Sequence, residues 1–362
     1  MEPFWVCFWF VVKILMVSAP ASLYSANSNS CHETVYLVCW YLCSAKMYLS
    51  DILLLGYPLY LSLFYFVNSQ AFDLRVFIAL LDSGCLFSCG DGSFGQLGHG
   101  DYRSHCSPVK VSYFVNKHVR QVACGMRHSL VLLRDSSKDQ VYGFGSGKRG
   151  QLGISMDMVK SINLPQVTLG FEDVEITNIT ANGDHSAALS AEGHLYTWGR
   201  GFAGTSSHLC PQRLSSSLLF TGVALGWNHA LVLTSDGEVF MLGGSHHGAL
   251  GYLEKLTPEK HSSEDFREAA LEKVHDTDGA KVMQIAAGAE HSAFVTEKGV
   301  VKTWGWGEHG QLGFGSTRDE TDPQVVNVGQ ELLNQDFTVN VYCGSGFTYA
   351  LRRRRLPFTS PS

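Results

Sequence analysis

One pattern recurs through most of the 362-residue chain and restricts what it can fold into: a short apolar segment that runs into glycine. Five copies are present: Cys85-Leu-Phe-Ser-Cys-Gly-Asp-Gly92, Val141-Tyr-Gly-Phe-Gly-Ser-Gly147, Leu195-Tyr-Thr-Trp-Gly-Arg-Gly201, Val239-Phe-Met-Leu-Gly-Gly244 and Val301-Lys-Thr-Trp-Gly-Trp-Gly307. Their aligned glycines, Gly90, Gly145, Gly199, Gly243 and Gly305, lie 55, 54, 44 and 62 residues apart. Three copies continue into Gly-Gln-Leu-Gly (Gly95–Gly98, Gly150–Gly153, Gly310–Gly313). The fourth reads Gly248-Ala-Leu-Gly251, and the third keeps only Gly204.

A second motif lies upstream of most copies. It reads Gln121-Val-Ala-Cys-Gly-Met-Arg-His-Ser-Leu-Val-Leu132, and it returns around His185, His229 and His291, with Phe347 in the histidine place of the last copy. One unit then reads as a small antiparallel sheet. A short apolar strand ends at Gly125, a second runs His128–Leu132, and a third such as Leu195–Trp198 enters the glycine-rich stretch. A fourth follows Pro108, Pro165, Pro211 or Pro323. Four short strands repeated about every 50 residues are the signature of propeller blades. Of the 37 glycines only Gly56 precedes residue 76, so the enrichment belongs to the repeat, where turns need positive φ or close backbone approach.

Trp-Gly-x-Gly, Gly-Gln-Leu-Gly and Gly-x-x-His-Ser at one period closely resemble the regulator of chromosome condensation repeat family, over about residues 77–351. The resemblance implies an all-β fold, a seven-bladed β-propeller. About five units are present, so the ring is expected to be incomplete. The last strands (Val339–Leu351) and the first (Val76–Cys89) are candidates for one shared closing blade. The domain division expected is an apolar leader at 1–75, propeller repeats at 76–351 and a basic tail at 352–362.

The first 75 residues hold 16 of the 42 aromatics and only seven charged side chains. Phe4–Val17 has the outline of a secretory signal, but Glu2 replaces the basic start and Lys13 interrupts the apolar centre. Ile52–Phe72 is uncharged for 21 residues, long enough to span a bilayer as helix, though Pro58 and a polar end count against it. Other readings are an apolar segment, helical or poorly ordered, packed on the propeller, or a start that does not belong to the mature protein. Ten cysteines are scattered without a second pair at zinc-ligand spacing, which points to a reducing compartment rather than a disulfide framework or a zinc site. Tyr252–Lys281 is an insert in which Ser262-Ser-Glu-Asp265, followed by 266–274, reads as a capped short helix on a solvated or partner-binding loop.

The motifs that look like chemistry are absorbed by the repeat. Four stretches fit G-x-G-x-x-G, but a dinucleotide fingerprint occurs once, between a strand and the helix whose N-terminus holds the pyrophosphate. His-Ser recurs in three units (His128-Ser129, His185-Ser186, His291-Ser292), whereas a catalytic pair is unique, and neighbours on a strand point to opposite faces. His128, His185, His229 and His291 are therefore read as repeated hydrogen-bonding groups, and Trp198 and Trp304 as packing. Trp227 matches a Gly-Trp-x-His site that, in a plant ultraviolet-B photoreceptor of the same family, builds a tryptophan cluster. Here the equivalent places hold Met126, Gly183, Ala289 and Ser345, and one tryptophan makes no cluster.

With net charge −6 and 17% charged residues, bulk charge does not favour polyanions, and the short basic run Arg352–Arg355 reads as a solvated tail ahead of a nuclear-import or nucleic-acid patch. No catalytic, cofactor or metal site is expected. The expected function is a non-enzymatic protein-interaction scaffold in the cytoplasm or nucleus, with a membrane reached only through residues 1–75. The resemblance implies a second reading, guanine-nucleotide exchange on a small Ran-like GTPase, and a third, ultraviolet-B reception.

Overall fold

Each second strand of the repeat carries consecutive apolar residues at its centre, as in Leu130–Leu133, Ala187–Leu189, Ala230–Leu233 and Ala293–Val295, a pattern that suits a strand with both faces covered. In the computed structural model, which describes residues 76–80, 85–134, 139–155, 157–201, 207–243, 271–328 and 337–354, that is what happens. The described residues form six consecutive antiparallel sheets. The first holds β1 (Val76–Leu80), β2 (Leu86–Gly90) and β3 (His105–Lys110). The second is β4 (His118–Cys124), β5 (His128–Arg134), β6 (Gln140–Ser146) and β7 (Ser161–Val167). The third is β8 (Ile176–Asn182), β9 (His185–Ser190), β10 (Leu195–Gly199) and β11 (His208–Arg213). The fourth is β12 (Phe220–Leu225), β13 (His229–Thr234), β14 (Val239–Gly243) and β15 (Glu272–Lys273). The fifth is β16 (Val282–Ala287), β17 (His291–Thr296), β18 (Val301–Gly305) and β19 (Glu320–Val325), and the sixth is β20 (Phe337–Cys343) with β21 (Thr348–Arg354). All belong to one unit, Tyr65–Leu80 with Gly84–Ser362.

The hydrophobic core lies between sheets. Leu130 and Leu132 of β5 pack with Ile179, Ala188 and Trp198 of the third sheet. The alternate residues Val131 and Leu133 pack with Leu86 and Leu97 of the first. The same division recurs at the next three junctions, for example Leu231 and Met241 against Phe294 and Trp304. Sheets stacked face to face in sequence order, each pair sharing a core, are propeller blades. The chain is an all-β propeller of incomplete ring among the described residues.

Three expectations need correction. The prolines do not precede the fourth strands: Pro108, Pro165, Pro211 and Pro323 lie within β3, β7, β11 and β19. Each falls where the register shifts, for example between Ser88↔Val109 and Gly90↔His105. An outer strand with a bulge tolerates a residue that has no N–H to donate. The helix expected through 274 does not reach that far, because Glu272 and Lys273 pair with Met241 and Phe240 as β15. The rest of that helix lies outside the described residues. The first and last strands do not merge into one blade: β1 pairs with β2 and β21 with β20, in separate sheets. Both end strands are second strands, so each claims the same place. Of the basic tail expected at 352–362, Arg352–Arg354 belong to β21 and the rest lies outside the described residues, as does the 1–75 segment. Among the described residues no helix is long and apolar enough to cross a membrane.

Candidate interaction face

The antiparallel register gathers two kinds of turn at one end of every blade. His128 opens β5 and pairs with Gly145 at the close of β6, so the β4–β5 turn and the β6–β7 loop emerge together. The pairs His185↔Gly199, His229↔Gly243 and His291↔Gly305 repeat this. The third-strand glycines Gly90, Gly145, Gly199, Gly243 and Gly305 all take positive φ, from 70° to 110°. A Cβ on Gly145 would stand 2.5 Å from Arg127 O, and one on Gly199 2.4 Å from Asp184 O. Only glycine lets the two turns come this close. The approach allows the Ser146, Arg200 and Trp306 amides to donate to the Arg127, Asp184 and Glu290 carbonyls.

The repeated histidines tie each blade to the next. His128 Nε2 lies 2.9 Å from Ser186 Oγ, His229 Nε2 3.0 Å from Ser292 Oγ, and His291 Nε2 3.0 Å from Thr348 Oγ1. Ser186 Oγ donates in turn to Gln151 O at 2.7 Å, which also accepts the Trp198 indole N–H at 2.9 Å. Because the serine proton is committed to Gln151 O, His128 Nε2 must carry the proton it gives to the serine. Ser129 repeats the step, donating to Gln96 O in the first blade. The His and Ser of one pair thus serve opposite neighbours, His128 the third blade and Ser129 the first. Neither touches the other as base and nucleophile would.

Neutral rings suit these places. Burial pushes the pKa of His128 down to about 3, with His185 adding to the shift. Burial likewise takes His229 to about 3, helped by His291 and His185, and His291 to about 4, against the Phe347 backbone. The Nδ1 atoms of His128 and His291 are buried without a hydrogen-bond partner, so a second proton there would have nothing to bind.

One blade departs from the scheme. Gly125, Gly226 and Gly288 stand three residues before their histidines, and a Cβ on any of them would lie 2.1 Å from the imidazole Cε1. The third blade has Asn182 in that place, and the fourth has Ala230 where its sisters have a hydroxyl. His185 turns instead to two carbonyls, Arg200 O at Nδ1 and Trp227 O at Nε2, the latter at 2.6 Å. Burial lowers its pKa, opposed by those two carbonyls. Asn182 makes its own bond across the junction, Nδ2 donating to Leu225 O at 2.6 Å.

Motif reading overlooked two further ties. The side-chain amide of Gln121 brackets the Ile179 backbone, donating to its O at 2.9 Å and accepting from its N at 3.0 Å. Gln284 brackets Val341 in the same way. The glutamines of Gly-Gln-Leu-Gly fold inward: Gln96, Gln151 and Gln311 are buried and accept from the amides of Phe94, Arg149 and His309. Their signal was present as a polar residue repeated at a fixed offset. Trp198 and Trp304 are 2% and 1% exposed within the inter-blade cores.

What remains available on this end is a mixed surface. Lys148, Arg149, Arg200, Glu308 and His309 are exposed, and Arg127, Asp184, Trp227, Asn228, Glu290 and Trp306 are half-buried among them. Arg200 Nη2 donates to Asn228 Oδ1 and Asn228 Nδ2 to Glu290 Oε1, both at 3.2 Å, linking the third, fourth and fifth blades. The Arg127 guanidinium lies 5.0 Å from the centre of the Phe94 ring, and Trp306 packs edge-on to His309. Among the described residues no group of three or more His, Cys, Asp or Glu is arranged to hold a metal.

The fold and this end define a repeat propeller whose polar repeat residues are engaged in holding blades together. Residues 70–350 match the RCC1-like domain, and the chain belongs to that family. It is 30% identical over 293 residues to the ultraviolet-B receptor UVR8 of Arabidopsis thaliana, covering 78% of this chain and 62% of that protein. It is 31% identical to the secretion-regulating guanine nucleotide exchange factor of Bos taurus, covering 76% and 62%. The chain thus spans less than two thirds of either relative. The crystal structure of human WBSCR16 is similar at a TM-score of 0.64 and 28% identity, covering 77% of this chain and 70% of that one.

Proposed function

We propose that the chain is a non-enzymatic interaction propeller, and that the end carrying Arg127, Arg149, Arg200, Trp227, Asn228, Glu290 and Trp306 receives a protein partner. One observation carries the reading. The repeat's histidines and serines are committed to inter-blade hydrogen bonds, while the charged and aromatic side chains of the turns stand on a framework that holds them in place. Function in such folds belongs to the loops rather than the repeated strands. Reversing charge at Arg149 and Arg200 should abolish partner capture without lowering the melting temperature. Retained capture would exclude this end as the docking surface. The partner is a protein, met in the cytoplasm or nucleus.

A second reading, exchange on a Ran-like GTPase, is supported by the 31% identity to a guanine nucleotide exchange factor. Such a factor binds the nucleotide-free GTPase more tightly than the loaded one, so bound nucleotide leaves faster. Release of a fluorescent GDP analogue from Ran-type and Rab-type GTPases separates the readings. Acceleration at micromolar propeller supports exchange, and an unchanged rate leaves the scaffold.

A further inference from the structure

The segment that joins the first blade to the second builds a corner of three aromatic rings. Ser112–Phe114 forms one 3-10 turn, with the Phe114 amide donating to Val111 O at 3.2 Å. Asn116 then takes a φ of +63°, and the Lys117 amide donates back to Phe114 O at 3.2 Å. Tyr142 enters from β6, its hydroxyl donating to Gln140 Oε1 at 2.7 Å. The ring centres are 5.1 Å apart for Tyr113 and Phe114, 5.7 Å for Tyr113 and Tyr142 and 5.8 Å for Phe114 and Tyr142, with planes at 79°, 63° and 89°. The Lys117 ammonium sits in this corner, 3.8 Å from the centre of Tyr113, 5.7 Å from Tyr142 and 6.0 Å from Phe114. Ring faces attract a cation within about 6 Å. Phe114 and Tyr142 are buried, Tyr113 is half-buried and Lys117 is exposed.

The sister blades show what this place otherwise holds. Val119 pairs with Leu133 just before the bulge of the first strand, as Ile176 does with Ser190, Phe220 with Thr234 and Val282 with Thr296. Two residues earlier stand Lys117, Val174, Leu218 and Ala280. The Val174 and Ala280 amides donate to Phe171 O and Thr277 O, as that of Lys117 does to Phe114 O. Phe171 packs edge-on to Tyr196, as Phe114 does to Tyr142. There Gly170 stands in the place of Tyr113, and Val174 packs against the apolar core. In the second blade alone of these four, a third ring and a cation replace the apolar filling.

We propose that this corner binds a trimethylated lysine of a partner protein, and that Lys117 occupies it until the incoming side chain displaces it. Methylation keeps the positive charge of a lysine. A trimethylammonium has no N–H to satisfy, so a wall of ring faces suits it better than a primary ammonium with three donors. The cation already in the corner arrives on a four-carbon stem, which makes a second lysine side chain, rather than a lipid headgroup, the occupant of matching reach. Lys117 is exposed, and a flexible stem lets its ammonium leave the rings for water. The corner lies where β4 begins, at the other end of the blade from the β4–β5 turn. The inference therefore holds whether or not the face above binds.

The probe is the peptide Ala-Ser-Ala-trimethyllysine-Ala-Ser-Ala with isotope-labelled N-methyl groups, followed by nuclear magnetic resonance as the full-length chain is added. The N-methyl signal should move upfield and saturate, because protons over ring faces are shielded. The unmethylated peptide should bind about tenfold more weakly, the scale of one desolvated cation–π contact. Lys117→Ala removes the internal competitor and should tighten binding of the methylated peptide. Tyr113→Ala should weaken it about tenfold, and Tyr113→Phe, which keeps the ring, should restore it. The wild-type shift and the gain in Lys117→Ala decide the matter even where Tyr113→Ala fails to fold. The proposal would be overturned by an N-methyl signal that does not move, by equal binding of the unmethylated peptide, or by a Lys117→Ala chain that binds no more tightly than wild type. Flotation of the chain with phosphatidylcholine vesicles, lost in Tyr113→Ala, would assign the corner to a lipid headgroup and overturn it too.

Discussion

Gly125 is a glycine because a histidine ring three residues on lies where its Cβ would be, 2.1 Å away. Gly125→Ala should therefore displace His128 and cost about 1–3 kcal/mol in overpacking and about 1 more for the lost bond to Ser186. Gly183 has only Trp227 and His185 carbons near its Cβ position, at 3.6 and 3.7 Å, and a φ of +52°. Gly183→Ala should cost about 1–2 kcal/mol of backbone strain alone. Urea unfolding of the two variants checks the order, and the reverse order would contradict the ring contact. The same histidines set a pH dependence. Unfolded, each takes a proton near pH 6.5, whereas folded, His128 and His229 do so near 3 and His291 near 4. The unfolded chain binds more protons in that window, so their contribution is full above pH 6.5 and is lost as pH falls. Three such sites give a slope approaching three times about 1.4 kcal/mol per pH unit. The urea midpoint should drop between pH 7 and pH 5, and a flat midpoint would refute buried neutral rings. The once-per-blade recurrence of these histidines was legible in sequence. Their partners were not, because Ser186 lies 58 residues from His128 and no local pattern reports which blade a side chain meets.

The blade was legible as an element: the third-strand glycines, the apolar second strands and the turns between them all occur in the order the repeat suggests. The fourth strand was less so, since proline reads as a strand boundary until the bulged outer edge that accommodates it is seen. The helix expected through 274 failed for a related reason. A helical pattern near its end was overridden by two residues pairing with the edge of β14. The junction between the third and fourth blades offers an element-scale test. Ala230→Ser alone buries a hydroxyl at a fully buried position while His185 faces away, and should cost about 1–3 kcal/mol. Adding Asn182→Gly opens the place that a ring occupies in the sister blades, and should recover part of that cost. The double variant being no more stable than Ala230→Ser would show that Asn182 is not what turns His185 aside.

At the scale of the whole molecule, the ties make a stack of blades into a frame. Five inter-blade cores and the His–Ser, Gln–backbone and Asn–Glu bonds hold the turns of one end in fixed relation. The scaffold proposal rests on that frame presenting Arg127, Arg149, Arg200, Trp227 and Glu290 together at one end of the blades. Sequence made the fold class plain but not the face. The turn residues vary from blade to blade, and only the register brings them to one end.

The most direct measurement is site-specific photo-crosslinking in cells, with a benzophenone amino acid at Arg149 on this end and at Asp236 on the opposite one. The account predicts a discrete crosslinked protein from position 149, lost when Arg200 is reversed to Glu and absent from position 236. Equal crosslinking from the two positions, or a product at 149 that survives the reversal, would contradict it.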